Sequence, residues 1–300
     1  MSRLTGRSSG PWVSDLGVFQ PSVARPVNSI VRLHQKVTVG MDNEKDKEPI
    51  EGCNYLNAVR DQEARCNFAT ARAIAEFGRN LPALEAHLGT LLFMLERAAC
   101  CWWGCAQGDH GVESLVGRIY GLACGSHRLM QAGRYDESLL LVRALGEITN
   151  LLTLFATNGS ALQRWRAAND ETQKRDFSPV RVRLALENGK IPIPMDEGRY
   201  KLLCRLTAHP TPSTKPGMHN PSGHAVLGGH VQIAGVVVVL NELAHVLGCA
   251  AVSAASLLNL PIESKLRMRA EGADLLRASG PVTLENIGDV LSQYRTTYGA

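Results

Sequence analysis

The sequence predicts an all-α, multi-helix bundle with a disordered N-terminal tail. Three observations predict it: apolar residues at helical spacing in a central segment, a hydrophobic content of 45% with only 5% aromatic residues, and apolar runs separated by Gly and Pro. Many Leu, Ala and Val beside few aromatics suit helix packing better than a β-sandwich. We expect a tail over 1–50, the bundle over 51–260, and amphipathic C-terminal helices over 261–300 that pack on the bundle.

The central segment is 134–158. Its apolar residues recur at steps of four and three, which defines one stripe of a helix. They are Leu141, Leu145, Ile148, Leu152 and Phe155. The other side is also mostly apolar, but carries Arg143 and Glu147 four residues apart. Because a helix that is apolar nearly all round is buried among neighbours, we expect this charged pair to lie inside an interface.

Caps and helix breakers predict the other helices in order. The expected helical spans are 53–79, 81–105, 112–132, two short helices in 160–190, then 198–209, a buried helix in 224–258, and two helices in 261–300. Ser178 followed by Pro179 is a natural helix start. The stretch from Pro210 to Gly223 is rich in Pro, Ser and Gly, and is predicted to be a long loop.

The N-terminal tail has no sustained hydrophobic period and is rich in Ser, Gly, Pro and charge, which is typical of disorder. It lacks the apolar core of a secretory signal. We therefore predict a cytoplasmic protein whose eight Cys residues are reduced thiols, used mostly as small buried hydrophobes. Residues 1–41 are also rich in Arg and nearly free of acids, so an organellar transit peptide stays open as an alternative.

The net charge of +4 is unevenly distributed. Residues 160–205 hold ten Lys and Arg against six Asp and Glu, and 1–41 hold five against one. Basic stretches can attract a polyanion such as RNA, although a modest excess on a helical surface is more often simple solvation. RNA is therefore a candidate partner.

The segment 224–258 is the most apolar of the chain, and its length permits a membrane span. However, Asn241, Glu242 and His245 fall within it, and an ionised Glu at the bilayer centre costs about 3 kcal/mol. We predict a buried helix of the bundle and no membrane span. A membrane-associated protein is the weakest hypothesis for function.

Sequence motifs indicate neither a nucleotide cofactor nor a metal. The chain has no P-loop, dinucleotide-binding fingerprint, hydrolase elbow or metalloprotease motif. His219 and His224 have metal-ligand spacing, but no Cys or carboxylate pair accompanies them in their loop.

A second set with metal-ligand spacing is Cys101, Cys105 and His110. We interpret these cysteines as core thiols on a helix, because the neighbouring Trp102 and Trp103 favour burial. No cofactor is therefore expected.

The residues best suited to catalysis are Arg143, Glu147 and His209. His209 ends its helix before a Pro-rich break, where the helix dipole favours the imidazolium. An Arg that binds phosphate and a His that moves protons suffice for RNA cleavage, because the ribose 2′-OH can act as the nucleophile. The alternative is a structural salt bridge and a terminal His that only caps carbonyls.

Two runs of sequence carry a family resemblance. AGRYDESLLLVRALGEITNLL, followed after roughly fifty residues by RLTAHP, resembles the HEPN-like helical proteins of bacteria, particularly an uncharacterised branch akin to abortive-infection proteins. The resemblance spans about 112–258 and implies a helical bundle that forms homodimers. It also implies a defence or toxin role directed at RNA, with metal-independent ribonuclease activity in the active members.

The resemblance assigns the candidate catalytic residues. In active members four to six residues separate an Arg and a His on one helix, whereas only three residues separate Arg205 from His209 here. The best carry-over is therefore Arg143 and Glu147 from the first run with His209 from the second, and Arg205 is the weaker candidate. The alternative hypothesis is a non-catalytic, dimeric interaction or sensing module in which Arg143 and Glu147 fix the helix register.

Overall fold

A computed structural model describes residues 52–76, 81–105, 108–209 and 229–279. In these ranges the chain forms ten α-helices and one π-helical turn, and no strand. The predicted all-α, multi-helix bundle is confirmed. The predicted N-terminal tail, the loop histidines His219 and His224, and the last predicted helix lie outside the described residues.

The helices are numbered in chain order. They are α1 (Gly52–Glu76), α2 (Leu81–Ala99), α3 (Gly111–Gln131), α4 (Tyr135–Thr157), α5 (Gly159–Ala167), α6 (Asp170–Asp176), α7 (Pro179–Asn188), α8 (Glu197–Leu203), α9 (Ile233–Leu257) and α10 (Ile262–Ser279). The π turn (Cys204–Ala208) continues α8. Asn158, Asn169 and Asp196 cap α5, α6 and α8, because each side chain accepts a backbone amide that the helix leaves unpaired.

The centre of the bundle is formed by α4 and α9, which pack against each other. α3 and α7 also contact α4, while α10 and α2 contact α9. The backbones of α9 and α10 touch where two glycines meet, because a Cβ added to Gly248 would lie 2.8 Å from the carbonyl oxygen of Gly272. Small residues therefore set the separation of these two helices.

The predicted stripe of α4 is confirmed in part, since three of its five residues are fully buried (Leu145, Leu152 and Phe155). Leu141 and Ile148 are only partly buried, whereas Ser138 and Thr149 are fully buried. The Ser138 hydroxyl donates to the carbonyl of Ser126 on α3 at 2.8 Å. Small hydroxyl side chains therefore bring α4 close to its neighbours, and they are buried together with part of the predicted stripe.

Helix boundaries differ from the prediction in two places. α2 ends at Ala99 rather than near Cys105, because the chain turns through left-handed conformations at Cys101 (φ +54) and Gly104 (φ +94). Residues 160–190 hold three short helices, not two. The predicted burial of Trp102 is wrong, since this side chain is 66% exposed and stacks on Arg97, whose guanidinium carbon lies 4.3 Å from the ring centroid.

Within the described residues, α4 and α9 are long and apolar enough to cross a membrane by length and composition. The protein buries 78% of the apolar window of α9 and 50% of that of α4. A core helix of a water-soluble bundle passes the same test. The lengths of these helices therefore assign no membrane span.

Candidate functional site

Arg143 and Glu147 lie one turn apart on α4, and their closest nitrogen–oxygen distance is 3.9 Å. Their side chains are 21% and 26% exposed. Nη1 of Arg143 donates to the hydroxyl of Tyr200 on α8 at 3.3 Å and to Sγ of Cys204 at 3.3 Å. The guanidinium therefore joins α4 to the segment that ends at His209.

Arg183 of α7 adds a second cation to this cluster. Its guanidinium carbon lies 4.5 Å from the centroid of the Tyr200 ring, and that of Arg143 lies 5.4 Å from the same centroid. An aromatic face attracts cations at such distances, so Tyr200 holds two guanidinium groups that would otherwise repel each other. No sequence pattern indicated a role for Arg183 or Tyr200, although Tyr200 lies in the predicted helix 198–209.

Burial and the neighbouring charges have opposite effects on the pKa values of Arg143 and Glu147. Burial raises the pKa of Glu147, and the neighbouring Arg143 and Arg183 partly oppose this rise. Burial acts to lower the pKa of Arg143, but the hydrogen bond to Cys204 and the charge of Glu147 raise it overall. Nε of Arg143 and Nη1 of Arg183 are buried and have no hydrogen-bond partner among the described residues.

The other two candidate residues lie on the π turn and just after it. Arg205 and His209 are both exposed, whereas Cys204 is buried against Arg143. The backbone amide of His209 donates to the carbonyl of Cys204 at 2.9 Å, which closes the π turn. The structure thus brings Arg143 and Glu147 together against this segment, with Arg205 and His209 at solvent-accessible positions along it.

A buried ion pair joins α8 to α9. Nε of Arg199 lies 3.3 Å from Oε2 of Glu242, and the two side chains are 14% and 2% exposed. Nη1 of Arg199 also donates to the carbonyl of Pro194 at 3.3 Å, and Nε2 of His245 donates to the same oxygen at 3.2 Å. The sequence analysis used Glu242 and His245 only as an argument against a membrane span, and it gave Arg199 no role.

The loop between α7 and α8 is fixed from a third side by Asn150 of α4. Its amide nitrogen donates to the carbonyl of Met195 at 2.8 Å, and its amide oxygen accepts from the nitrogen of Met195 at 2.9 Å. This loop therefore bonds to α4, α8 and α9 together. The side chains of Asn150, Arg199 and His245 all bond to the backbone of this loop, so their role is structural.

The pH dependence of stability should report on His245. Burial, reinforced by the positive charge of Arg199, lowers the pKa of this histidine from 6.5 to about 4. Between these values the unfolded chain binds more protons than the folded chain, so the stabilisation is present above pH 6.5 and is lost towards pH 4. We expect the free energy of unfolding, relative to that of His245→Gln, to fall by about 3 kcal/mol from pH 7 to pH 4.

Urea denaturation of both proteins across this pH range measures the difference. Burial raises the pKa of Glu242, which acts in the opposite direction because its folded form gains the proton first. Both proteins contain Glu242, so the comparison isolates His245. A difference that does not change with pH would show that the buried ring is not held neutral.

Within the described residues, one further group of side chains could hold a metal ion, and it lies at the connection between α2 and α3. Cys101, Cys105 and His110 present ligand atoms that all lie within 4.8 Å of one another. Cys105 is exposed and Cys101 is only partly buried. The interpretation of these cysteines as core thiols is therefore wrong.

Comparisons with protein-family models, with curated proteins and with solved structures find no match to this chain. The resemblance to HEPN-like proteins therefore rests on the two runs of sequence alone.

Proposed function

We propose that this protein is a HEPN-like, non-catalytic helical interaction module in which Arg143 and Glu147 fix the register of α4 against α8 and the π turn. The observation that supports it is the bonding of Arg143. Nη1 contacts Tyr200 and Cys204, and the side chain is only 21% exposed. A guanidinium held in this way positions helices.

The limited access of a phosphate to the nitrogens of Arg143 supports the same proposal. A catalytic Arg must direct N–H groups at the substrate. Nη1 of Arg143 already donates to Tyr200 and Cys204, and Nε is buried with no hydrogen-bond partner among the described residues. These two nitrogens are therefore not available to a phosphate in solvent.

Substitution of Arg143 tests the structural role. We expect Arg143→Met to lower the free energy of unfolding by about 1 to 3 kcal/mol, because it removes two hydrogen bonds and leaves Glu147 without its nearest cation. Arg143→Lys should recover only part of this loss, since an ammonium lacks the planar fork. Urea denaturation measures both.

The matched control is Arg118→Met on α3, at an exposed position, which should change stability by less than about 0.5 kcal/mol. Equal stabilities of Arg143→Met and the wild type would contradict the proposal.

The family resemblance also leads us to propose a second copy of the chain as the partner. Sedimentation equilibrium of the full chain tests this, and a monomer at all concentrations would exclude it.

A second candidate function is metal-independent RNA cleavage of the defence or toxin type. One observation favours it, which is the exposure of Arg205 and His209 on one short segment. In that function His209 would take the proton from the ribose 2′-OH and Arg205 would stabilise the phosphate charge. It requires cleavage of RNA in the presence of EDTA.

A further inference from the structure

The connection between α2 and α3 turns sharply at residues that are not all glycine. Cys101 and His110 have φ values of +54 and +52, and Gly104 has +94. A left-handed conformation costs a non-glycine residue about 1 kcal/mol or more, and such residues cluster at functional sites. Here these turns direct a thiol and an imidazole toward each other.

The resulting distances fit a tetrahedral metal. Sγ of Cys101 lies 3.3 Å from Nδ1 of His110, and the two sulfurs and one ring nitrogen of His110 all lie within 4.8 Å of one another. With zinc–sulfur bonds of about 2.3 Å and zinc–nitrogen bonds of about 2.0 Å, tetrahedral ligand atoms are about 3.6 to 3.8 Å apart. Small side-chain rotations would therefore place all three ligands on one ion.

Contacts outside the three ligands hold this connection in place. Asp109, next to His110, accepts from the amide of Gly111 at 3.2 Å and pairs with Nε of Arg166 on α5 at 2.7 Å. On the other side, Trp102 stacks on Arg97 of α2. Contacts to α2, α3 and α5 therefore help to position the ligand-bearing residues.

We propose that Cys101, Cys105 and His110 form a zinc site that ties the end of α2 to the start of α3. Thiolate and imidazole ligands suit Zn²⁺, whereas Mg²⁺ and Ca²⁺ take oxygen ligands. Because the cluster is at the surface, water fills the fourth position.

Titration of the reduced full-length chain with Co²⁺ tests the site, because thiolate ligation gives a near-ultraviolet charge-transfer band and tetrahedral geometry gives intense visible bands. We expect one equivalent of Co²⁺ to bind and Zn²⁺ to displace it. Cys101→Ser, Cys105→Ser and His110→Asn should each weaken binding by more than about 100-fold. Far-ultraviolet circular dichroism confirms that these variants fold.

Two control variants keep the test specific. Cys124→Ser on α3 and Cys249→Ser on α9 should bind Co²⁺ like the wild type, because neither thiol belongs to the cluster. Cys100→Ser should also bind normally, since water and not this adjacent thiol completes the site. Absence of the bands in the reduced wild type, equal binding by Cys101→Ser, or loss of binding in Cys100→Ser would overturn the proposal as stated.

Discussion

Arg199→Met should lower the free energy of unfolding by about 3 to 5 kcal/mol, because it leaves the carboxylate of Glu242 buried without its cation. Glu242 is 2% exposed, and Nε of Arg199 lies 3.3 Å from it. The same substitution removes a donor to the carbonyl of Pro194. A loss of this size is a large share of the stability of an ordinary domain.

The loss of unfolding free energy caused by Arg199→Met should become smaller as the pH falls from 7 to 5. Without Arg199, Glu242 loses the charge that opposes the rise of its pKa, so its folded form binds a proton more readily. His245 loses the same neighbouring cation, which also favours proton uptake in the fold. Both effects stabilise the folded variant at lower pH, and urea denaturation at the two pH values measures them.

A double variant separates the charge from the packing. Arg199→Met combined with Glu242→Leu should be more stable than Arg199→Met alone, because no buried charge remains. The comparison with Glu242→Leu alone completes the cycle. If Arg199→Met lost less than about 1 kcal/mol, the ion pair would not contribute to the fold in the way its burial indicates.

Gly248→Ala should destabilise the protein by about 2 to 3 kcal/mol, although alanine is the better helix former. The added Cβ would lie 2.8 Å from the carbonyl oxygen of Gly272 and 2.8 Å from Cγ of Leu276. A backbone oxygen cannot rotate away, so α9 and α10 would have to separate. Thermal and urea denaturation measure the loss.

Gly121→Ala is the matched control, since this glycine is also inside a helix but has no atom within 4 Å of the added Cβ. It should raise the free energy of unfolding by about 0.5 to 1 kcal/mol, the usual gain of a helix interior. Opposite signs at Gly248 and Gly121 are the expected result. A stabilising Gly248→Ala would show that the two helices are not in close contact there.

Much of the fold is local in origin, and sequence could predict it. The central segment was placed at 134–158 and the helix is Tyr135–Thr157, because its apolar content and its flanking breakers are both local. Ser178 and Pro179 likewise mark the observed start of α7. Whether a segment forms a helix depends on its helix propensity and on the spacing of its apolar residues, and both are set by neighbouring residues.

The buried face of α4 could be predicted only in part, because it also includes residues that a hydrophobic pattern counts as polar. Thr153 is 9% exposed, and its hydroxyl lies 3.0 Å from that of Ser253 on α9. Such a hydroxyl is buried at little cost once a partner on another helix is present. The partner lies 100 residues away, so no local pattern reveals it.

The candidate site was only partly predictable for the same reason. The spacing of Arg143 and Glu147 places them on one helical face, but Tyr200 and Cys204 approach from 57 and 61 residues along the chain. At the end of α2, the apolar composition of the run CCWWGC favours a longer helix. The chain instead turns at Cys101, whose thiol meets the ring of His110 nine residues later.

Cleavage of structured RNA in EDTA by the full chain is the most direct test of whether this site is structural or catalytic. The wild type, His209→Ala, Arg205→Ala and Arg143→Lys are compared at equal concentration, each with its free energy of unfolding measured in the same buffer. The structural account predicts that none of them cleaves RNA and that only Arg143→Lys loses stability. Cleavage by the wild type that His209→Ala abolishes without loss of stability would contradict it.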